Sequence, residues 1–250
     1  MAITDAAKRN HEQLFPDRVS TLAVTDPEFV ERFDNWAFDE VQEAAPMDLP
    51  LRLMVQLAAL IACHAVNEYR VMLGAALDVG VTPVVTKEIL YQNVPYVGMG
   101  RAFDFLHATN EVLSERGIAL PLAGQATTDA PSRFERGREV QARIFGDGIE
   151  QMAAQAPQDQ AHIQRFLAAN CFGDYYTRGG LDLATRELLT FAMLAALGGC
   201  EPQLAGHVAG NVAMGNSRPL LVAVLTQLLP FIGYPRTLNA LRVVNENTSA

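Results

Sequence analysis

Apolar residues recur at helical spacing through most of this 250-residue chain, and the strict alternation of a half-buried strand is scarce. "DPEFVERFDNWAFDEVQEA" opens with Asp26 placed to cap a helix and Pro27 at the first helical position. "TPVVTKEILYQNV" opens the same way with Thr82 and Pro83, and "APSRFERGREVQARIFGDGIEQMAAQAP" carries the pattern as far as Pro157. The longest apolar run, "LMVQLAALIACHAV" (Leu53 to Val66), contains Gln56 and His64 and is too short to span a bilayer, which predicts a buried helix. The whole pattern predicts an all-α fold of roughly ten helices.

The chain also repeats itself. Shifted by 135 residues without gaps, "QNVPYVGMGR" (Gln92 to Arg101) lies over "QLLPFIGYPR" (Gln227 to Arg236). Identities fall at Gln92/Gln227, Pro95/Pro230, Gly98/Gly233 and Arg101/Arg236. The same register pairs Gly80 with Gly215, Leu90 with Leu225, Leu106 with Leu241, Asn110 with Asn245 and Glu111 with Glu246. Self-similarity at a fixed period marks a duplicated structural unit. The expected organisation is an N-terminal helical extension (1–49), a first repeat (50–113), a helical connector (114–180) that starts in the loop-like "PLAGQATTDAPS", and a second repeat (181–250). Each repeat is expected to break a helix at Pro-x-x-Gly, since proline cannot donate to the ladder and glycine permits the turn.

Composition removes several function classes. Half the residues are hydrophobic and 19% are charged, with a net charge of −9. The densest basic cluster, "RFERGR" (Arg133 to Arg138), has Glu135 inside it, so neither nucleic acid nor an anionic membrane surface is an expected partner. The start of the chain has no apolar signal core, and three cysteines (Cys63, Cys171, Cys200) make no disulfide framework; the expected location is the cytoplasm. The five histidines make no His-x-x-x-His pair and no strand–turn–helix phosphate loop is visible, so no metal and no cofactor are expected.

The candidate chemistry sits in the second repeat. In "GGCEPQLAGH", Gly198-Gly199 supplies a turn and Pro202 suits the start of the next helix, which puts Cys200 or Glu201 at the N-cap. A thiol there feels the positive end of the helix dipole, which favours thiolate. Cys200, Gln203 and His207 stand at i, i+3 and i+7, the spacing of one helical face, and Glu187 in the preceding helix is placed to approach His207 if the two helices pack antiparallel. The first-repeat counterparts of Glu187, Cys200, Gln203 and His207 are Arg52, Ala65, Glu68 and Met72, so the motif is degenerate there. Cys63, His64 and Glu68 are secondary candidates near the equivalent turn. "NCFGDYYTRGG" (Asn170 to Gly180) reads either as an ordinary loop or as a cover over a pocket.

"LDLATRELLTFAMLAALGGCEPQLAGHVAGNVAMG" followed by "QLLPFIGYPRTLNAL" resembles the carboxymuconolactone decarboxylase family, whose superfamily includes alkyl hydroperoxidase D. The resemblance is specific over residues 181–246 and weaker over 50–113. It implies a tandem repeat of alkyl hydroperoxidase D-like helical domains that assembles with itself into trimers or larger rings. Its decarboxylase branch implies cofactor-free action on a small lactone carboxylate. Its hydroperoxidase branch implies a Cys-x-x-Cys pair served by a Glu and a His. Cys200 falls on the first cysteine of that motif and His207 on its histidine, while Gln203 stands where the second cysteine would be. Three functions follow as expectations. The first is a lyase or isomerase for a small carboxylated or carbonyl compound, in which Cys200, His207 and Glu187 are catalytic, His207 and Glu187 moving protons, and Gln203, Arg186 and Arg236 bind the substrate, an arginine holding its carboxylate by a bidentate fork. The second is a thiol peroxidase using Cys200, and the third is a non-catalytic oligomeric scaffold.

Overall fold

The computed structural model describes residues 2–16, 20–146, 148–149 and 155–249. Residues 150–154, within the helical stretch predicted up to Pro157, lie outside that set. Every regular element among the described residues is helical. In chain order these are α1 (Asp5–Leu14), α2 (Leu22–Thr25), and α3 (Pro27–Asn35), which runs through a π-helical segment (Trp36–Glu40) into α4 (Val41–Ala44). Next come α5 (Leu49–Ala62), α6 (Val66–Asp78), α7 (Pro83–Val97), α8 (Met99–Glu115) and α9 (Arg133–Phe145). After a 3-10 turn (Gln158–Gln160), α10 (Ala161–Phe166) enters a second π-helical segment (Leu167–Tyr176), and α11 (Leu183–Leu197), α12 (Glu201–Ala213) and α13 (Arg218–Asn247) complete the chain.

The 135-residue register of the sequence is the register of the helices. α6 begins at Val66 and α12 at Glu201. Thr82 and Ser217 cap α7 and α13, each side chain accepting a backbone N–H three residues on, from Val85 (3.3 Å) and Leu220 (3.4 Å). Such caps contribute about 1 kcal/mol each. The expected Pro-x-x-Gly breaks need a correction: Pro95 and Pro230 both lie inside helices, and the breaks fall at Gly98 (φ +79°) and Gly233 (φ +74°). A proline costs its own N–H bond, but only the left-handed glycine turns the chain. Asp26 stands at the N-cap of α3 without a side-chain cap bond, while Pro27 opens the helix as its position suggested. The repeated unit also reaches back beyond residue 50, because the shift of 135 lays the first π-helical segment inside the second.

The repeats are interlocked around one shared core. α5 packs along its equivalent, α11, and each repeat sends a glutamine into the other half. Gln92 of α7 donates to Arg186 O (2.8 Å) and Thr190 Oγ1 (2.9 Å) on α11. Its equivalent Gln227 donates to Ala45 O (2.6 Å) just after α4 and accepts from Gln42 (2.9 Å). Both glutamines are fully buried, which gives their identity a cause: an amide without partners there would cost about 1–3 kcal/mol. By length and hydropathy α13 passes for a membrane span. It is two helices joined at Gly233, and neither reaches the about 20 residues a span needs.

One local rule is broken. His64 ends α5 with φ +59°, at the position that Gly199 (φ +69°) fills in the second repeat. A side chain pays about 1–2 kcal/mol for that conformation, and glycine's extra freedom in the unfolded chain returns about 0.5–1 kcal/mol. His64→Gly is therefore expected to stabilise the protein by about 0.5–1 kcal/mol, read as a higher urea midpoint at unchanged slope; a lower midpoint would show that the ring contact with Phe105 outweighs the strain.

Candidate functional site

Glu187 lies in the second turn of α11 with no exposed surface, and His207 projects from the middle of α12 with 8% of its surface exposed. Their side chains meet, His207 Nδ1 lying 2.9 Å from Glu187 Oε2. Asn211, one turn beyond His207, locks the two helices in that alignment. Its Nδ2 donates to Glu187 O (2.9 Å) and His207 O (2.7 Å), and its Oδ1 accepts from Asn216 (2.8 Å). Gly210 makes the pairing sterically possible, since a Cβ there would stand 2.5 Å from Glu187 Oε2. Glu187 Oε1 is buried and has no hydrogen-bond partner among the described residues.

The walls come from outside the second repeat. The His207 ring sits edge-on to Tyr96 of α7 (5.7 Å between centroids) and Phe145 of α9 (5.4 Å). The Tyr96 hydroxyl shares a hydrogen bond with that of Tyr176 (2.9 Å), which shares another with Thr190 (2.6 Å). Tyr176 comes from the second π-helical segment, which also carries Cys171 and Phe172; this is where the "NCFGDYYTRGG" stretch resolves, as a helix packed beside the site. In a π-helix the bonded residues are five apart, which puts Cys171 and Tyr176 on one side. Burial first, then its acidic neighbours Cys171, Tyr176 and Glu187, holds the Tyr96 hydroxyl well above the ordinary tyrosine range. Burial, then Glu187, does the same to Tyr176. The Cys171 thiol is pushed up to about 12, chiefly by burial. Hydroxyls and thiol alike are therefore protonated around the Glu187–His207 pair.

Other sequence candidates end up elsewhere. Cys200 is the N-cap of α12, but its backbone (φ −135°, ψ 38°) is not helical, so the one-face spacing toward His207 does not apply to it. It lines a small cavity with Arg236 and Asn239, and its Sγ–H donates to Leu194 O (3.4 Å). The expected thiolate finds no support in these surroundings: burial first, then the neighbouring Glu201 carboxylate, raises the thiol above its ordinary value. Arg186 cannot serve as a carboxylate clamp. It is fully buried, its Nη atoms taken by Glu88 (3.1 Å), Gln92 (2.8 Å) and the carbonyls of Arg178 and Gly179 (3.0 Å each), and its Nε, without a partner among the described residues, has no exposed surface. Gln203 is exposed, and Arg236 is exposed with Nη1 3.6 Å from Cys63 Sγ. Cys63 is half-buried with its thiol raised by burial, His64 forms the strained turn, and Glu68 is exposed at the rim of a cavity of about 40 Å³. That cavity is the first repeat's version of the site. Arg52 stands for Glu187, Met72 for His207 and Phe231 for Tyr96, and burial drives the Arg52 guanidinium down to about 10.

Tyr96, Phe145, Tyr176 and Asn211 are the site residues that the sequence reading missed. The repeat alignment held one clue, Tyr96 against Phe231 in a block otherwise rich in identities. Among the described residues no cluster of three or more metal-ligating side chains is present.

The chain was compared with known proteins. The sequence profile of the Carboxymuconolactone decarboxylase family matches residues 27–111 and again 161–246. The 4-carboxymuconolactone decarboxylase of Acinetobacter baylyi (strain ATCC 33305 / BD413 / ADP1) is 26% identical over 115 residues, which cover 46% of this chain and 85% of that protein. A crystal structure of a protein described as a gamma-carboxymuconolactone decarboxylase subunit, from Burkholderia xenovorans LB400, aligns over 96% of both chains with a TM-score of 0.53 and 21% identity, a likeness of fold.

The buried acids of the core set an alkaline limit. Tyr69 is held at about 12 against an ordinary 10.0, and Cys171 at about 12 against 9.0. Between those values the unfolded chain loses protons that the fold retains. Stability is thus whole below pH 9 and falls as the pH rises toward 12. Urea midpoints should be flat up to about pH 9 and then decline, and Cys171→Ala should shrink the decline between 9 and 10; a midpoint constant to pH 12 would contradict the burial.

Proposed function

The chain belongs to the carboxymuconolactone decarboxylase family, and from that premise we propose that it is a cofactor-free lyase that removes CO2 from a small lactone carboxylate. The observation that carries this reading is the buried Glu187–His207 pair, set by Asn211 and walled by Tyr96 and Phe145. A carboxylate oxygen accepts at Nδ1, so the imidazole presents Nε2 as its second nitrogen, the one left for a reacting molecule. In the reaction proposed, the bond from carbon to the carboxylate breaks and CO2 leaves. The electron pair stays on carbon, spread into an unsaturated lactone carbonyl, and His207 delivers a proton to it. Glu187 orients the ring and stabilises the charged imidazole between turnovers.

The thiol-peroxidase reading has less support. Cys200 lies outside this cage with a raised pKa, and Gln203 stands in place of a second thiol. The two readings part on one experiment, the rate of CO2 release from 4-carboxymuconolactone and related lactone carboxylates. His207→Ala is expected to lose about 10²–10⁴-fold, while Cys200→Ser keeps the rate. A wild-type protein inert on every such lactone, or a rate that follows Cys200 instead of His207, would overturn the proposal.

Self-assembly belongs to the same reading. Met99 and Phe103 are exposed one turn apart on α8, and the equivalent residues beyond Gly233, Tyr234 and Leu238, are exposed in the same way. We assign these twin stripes to contacts between subunits in a ring, most simply a trimer with six repeats. Light scattering should give a multiple of 27.2 kDa, and Phe103→Ser with Leu238→Ser should lower it; a wild-type monomer at micromolar concentration would refute the assignment.

A further inference from the structure

A cleft of about 600 Å³ belongs to neither repeat's catalytic position. It opens between α7, α8 and the segment 120–125, and Lys87 forms part of its lining. Lys87 is only 8% exposed, and its ammonium donates to the side-chain oxygen of Asn110, a neutral partner. The acid in the lining is Glu88, and its two oxygens are already taken. Oε1 accepts from Arg178 Nε (3.0 Å) and Nη2 (2.8 Å), and Oε2 from Arg178 Nε (3.0 Å) and Arg186 Nη2 (3.1 Å). Arg178 and Arg186 thus share that one carboxylate, and Lys87 adds a further cation to the lining, in a chain whose net charge is −9. A buried ammonium met by an amide dipole and a tyrosine ring 6.0 Å away is under-compensated, and an incoming anion would complete it. Its cost shows as an ammonium pKa lowered by burial.

The rest of the lining describes the body of the ligand. The Tyr91 ring neighbours both cations, with Lys87 Nζ 6.0 Å and the Arg178 guanidinium 5.2 Å from its centroid. Leu106 and Leu122 supply apolar wall. The second repeat has nothing comparable, because Val222 replaces Lys87 and Thr226 replaces Tyr91 at the equivalent positions. We propose that this cleft is a second small-molecule site, which binds an organic anion with one carboxylate on Lys87 and Asn110 and a flat apolar body against Tyr91 and Leu106. The volume is in the range of ordinary ligand pockets.

Calorimetric titration with benzoate, and with benzamide as its uncharged counterpart, tests the site on the whole chain. Benzoate should bind at millimolar concentration and benzamide at least about tenfold more weakly. Lys87→Met should weaken benzoate by about tenfold or more, and Leu106→Trp should block it by filling the cleft, which keeps the test decisive if the lysine variant does not fold. His207→Ala should bind benzoate like the wild type. The proposal falls if benzoate does not bind at tens of millimolar, if it binds the Lys87 or Leu106 variant unchanged, or if His207→Ala is the variant that loses it. Failure of this experiment leaves the assigned chemistry of Glu187 and His207 untouched, since their test is CO2 release.

Discussion

Arg186 is buried without any exposed surface, and a guanidinium in that position has to be met by a carboxylate and by carbonyls. Glu88 brings the charge, Gln92 an amide oxygen, and the chain at Arg178 and Gly179 two carbonyls. These groups belong to α7 of the first repeat and to the stretch just after the second π-helical segment. A single side chain on α11 thus ties both to its own helix. Breaking a buried pair of this kind by removing one partner typically costs about 3–5 kcal/mol, far more than a surface ion pair contributes. Glu187 is the next residue along, so the contact that fixes α11 also fixes the carboxylate of the site. With α7 held, Tyr96 is delivered to the His207 ring, and with the π-helical segment held, Tyr176 reaches Tyr96.

Duplication explains why the site is asymmetric while the scaffold is not. The positions that keep the same residue in both halves are those the packing requires, Gln92 and Gln227 across the halves and Gly98 and Gly233 at the helix ends. The positions around the Glu187–His207 pair and at its first-repeat counterpart are free of that constraint, and they have inverted. A carboxylate faces an imidazole in one half, and a guanidinium faces a thioether in the other. An arginine where the acid should be cannot charge a histidine, and a methionine cannot carry a proton. The first half therefore contributes to chemistry through Tyr96, which it lends to the second.

How much of this was legible in the chain differs residue by residue. The all-helical architecture and the 135-residue register were readable, because helical periodicity and glycine turns are local. His207 and Glu187 were readable because they flank one turn. Cys200 was misread since the spacing rule assumes helical backbone, and a cap residue by definition leaves it. Arg186 was misread for a different reason. Sequence alone does not tell an arginine available to a ligand from one consumed by Glu88, almost a hundred residues away. Tyr96, Phe145 and Tyr176 come from three separate elements, and only the tertiary fold brings the first two to the His207 ring and the third to Tyr96. Asn211 resembles any polar residue in a helix until its amide is seen bridging two carbonyls.

The reassignment of Arg186 also changes what the proposed reaction asks of the site. A clamp of arginines would stabilise a substrate carboxylate in its ground state as much as in the transition state, and uniform stabilisation of that kind does not speed a reaction. The cage instead consists of Phe145, two tyrosines held neutral by burial, and a protonated Cys171 beside one carboxylate–imidazole pair. A carboxylate entering such surroundings loses water and gains little in return, whereas CO2 leaves uncharged and the negative charge spreads over a conjugated system. The proton that ends the reaction is then required at one place only, the ring nitrogen that Glu187 does not occupy. On the proposed reading, the poverty of the cage in positive charge is itself part of the catalytic arrangement, and the buried Arg186–Glu88 pair preserves it by neutralising the guanidinium one residue before Glu187.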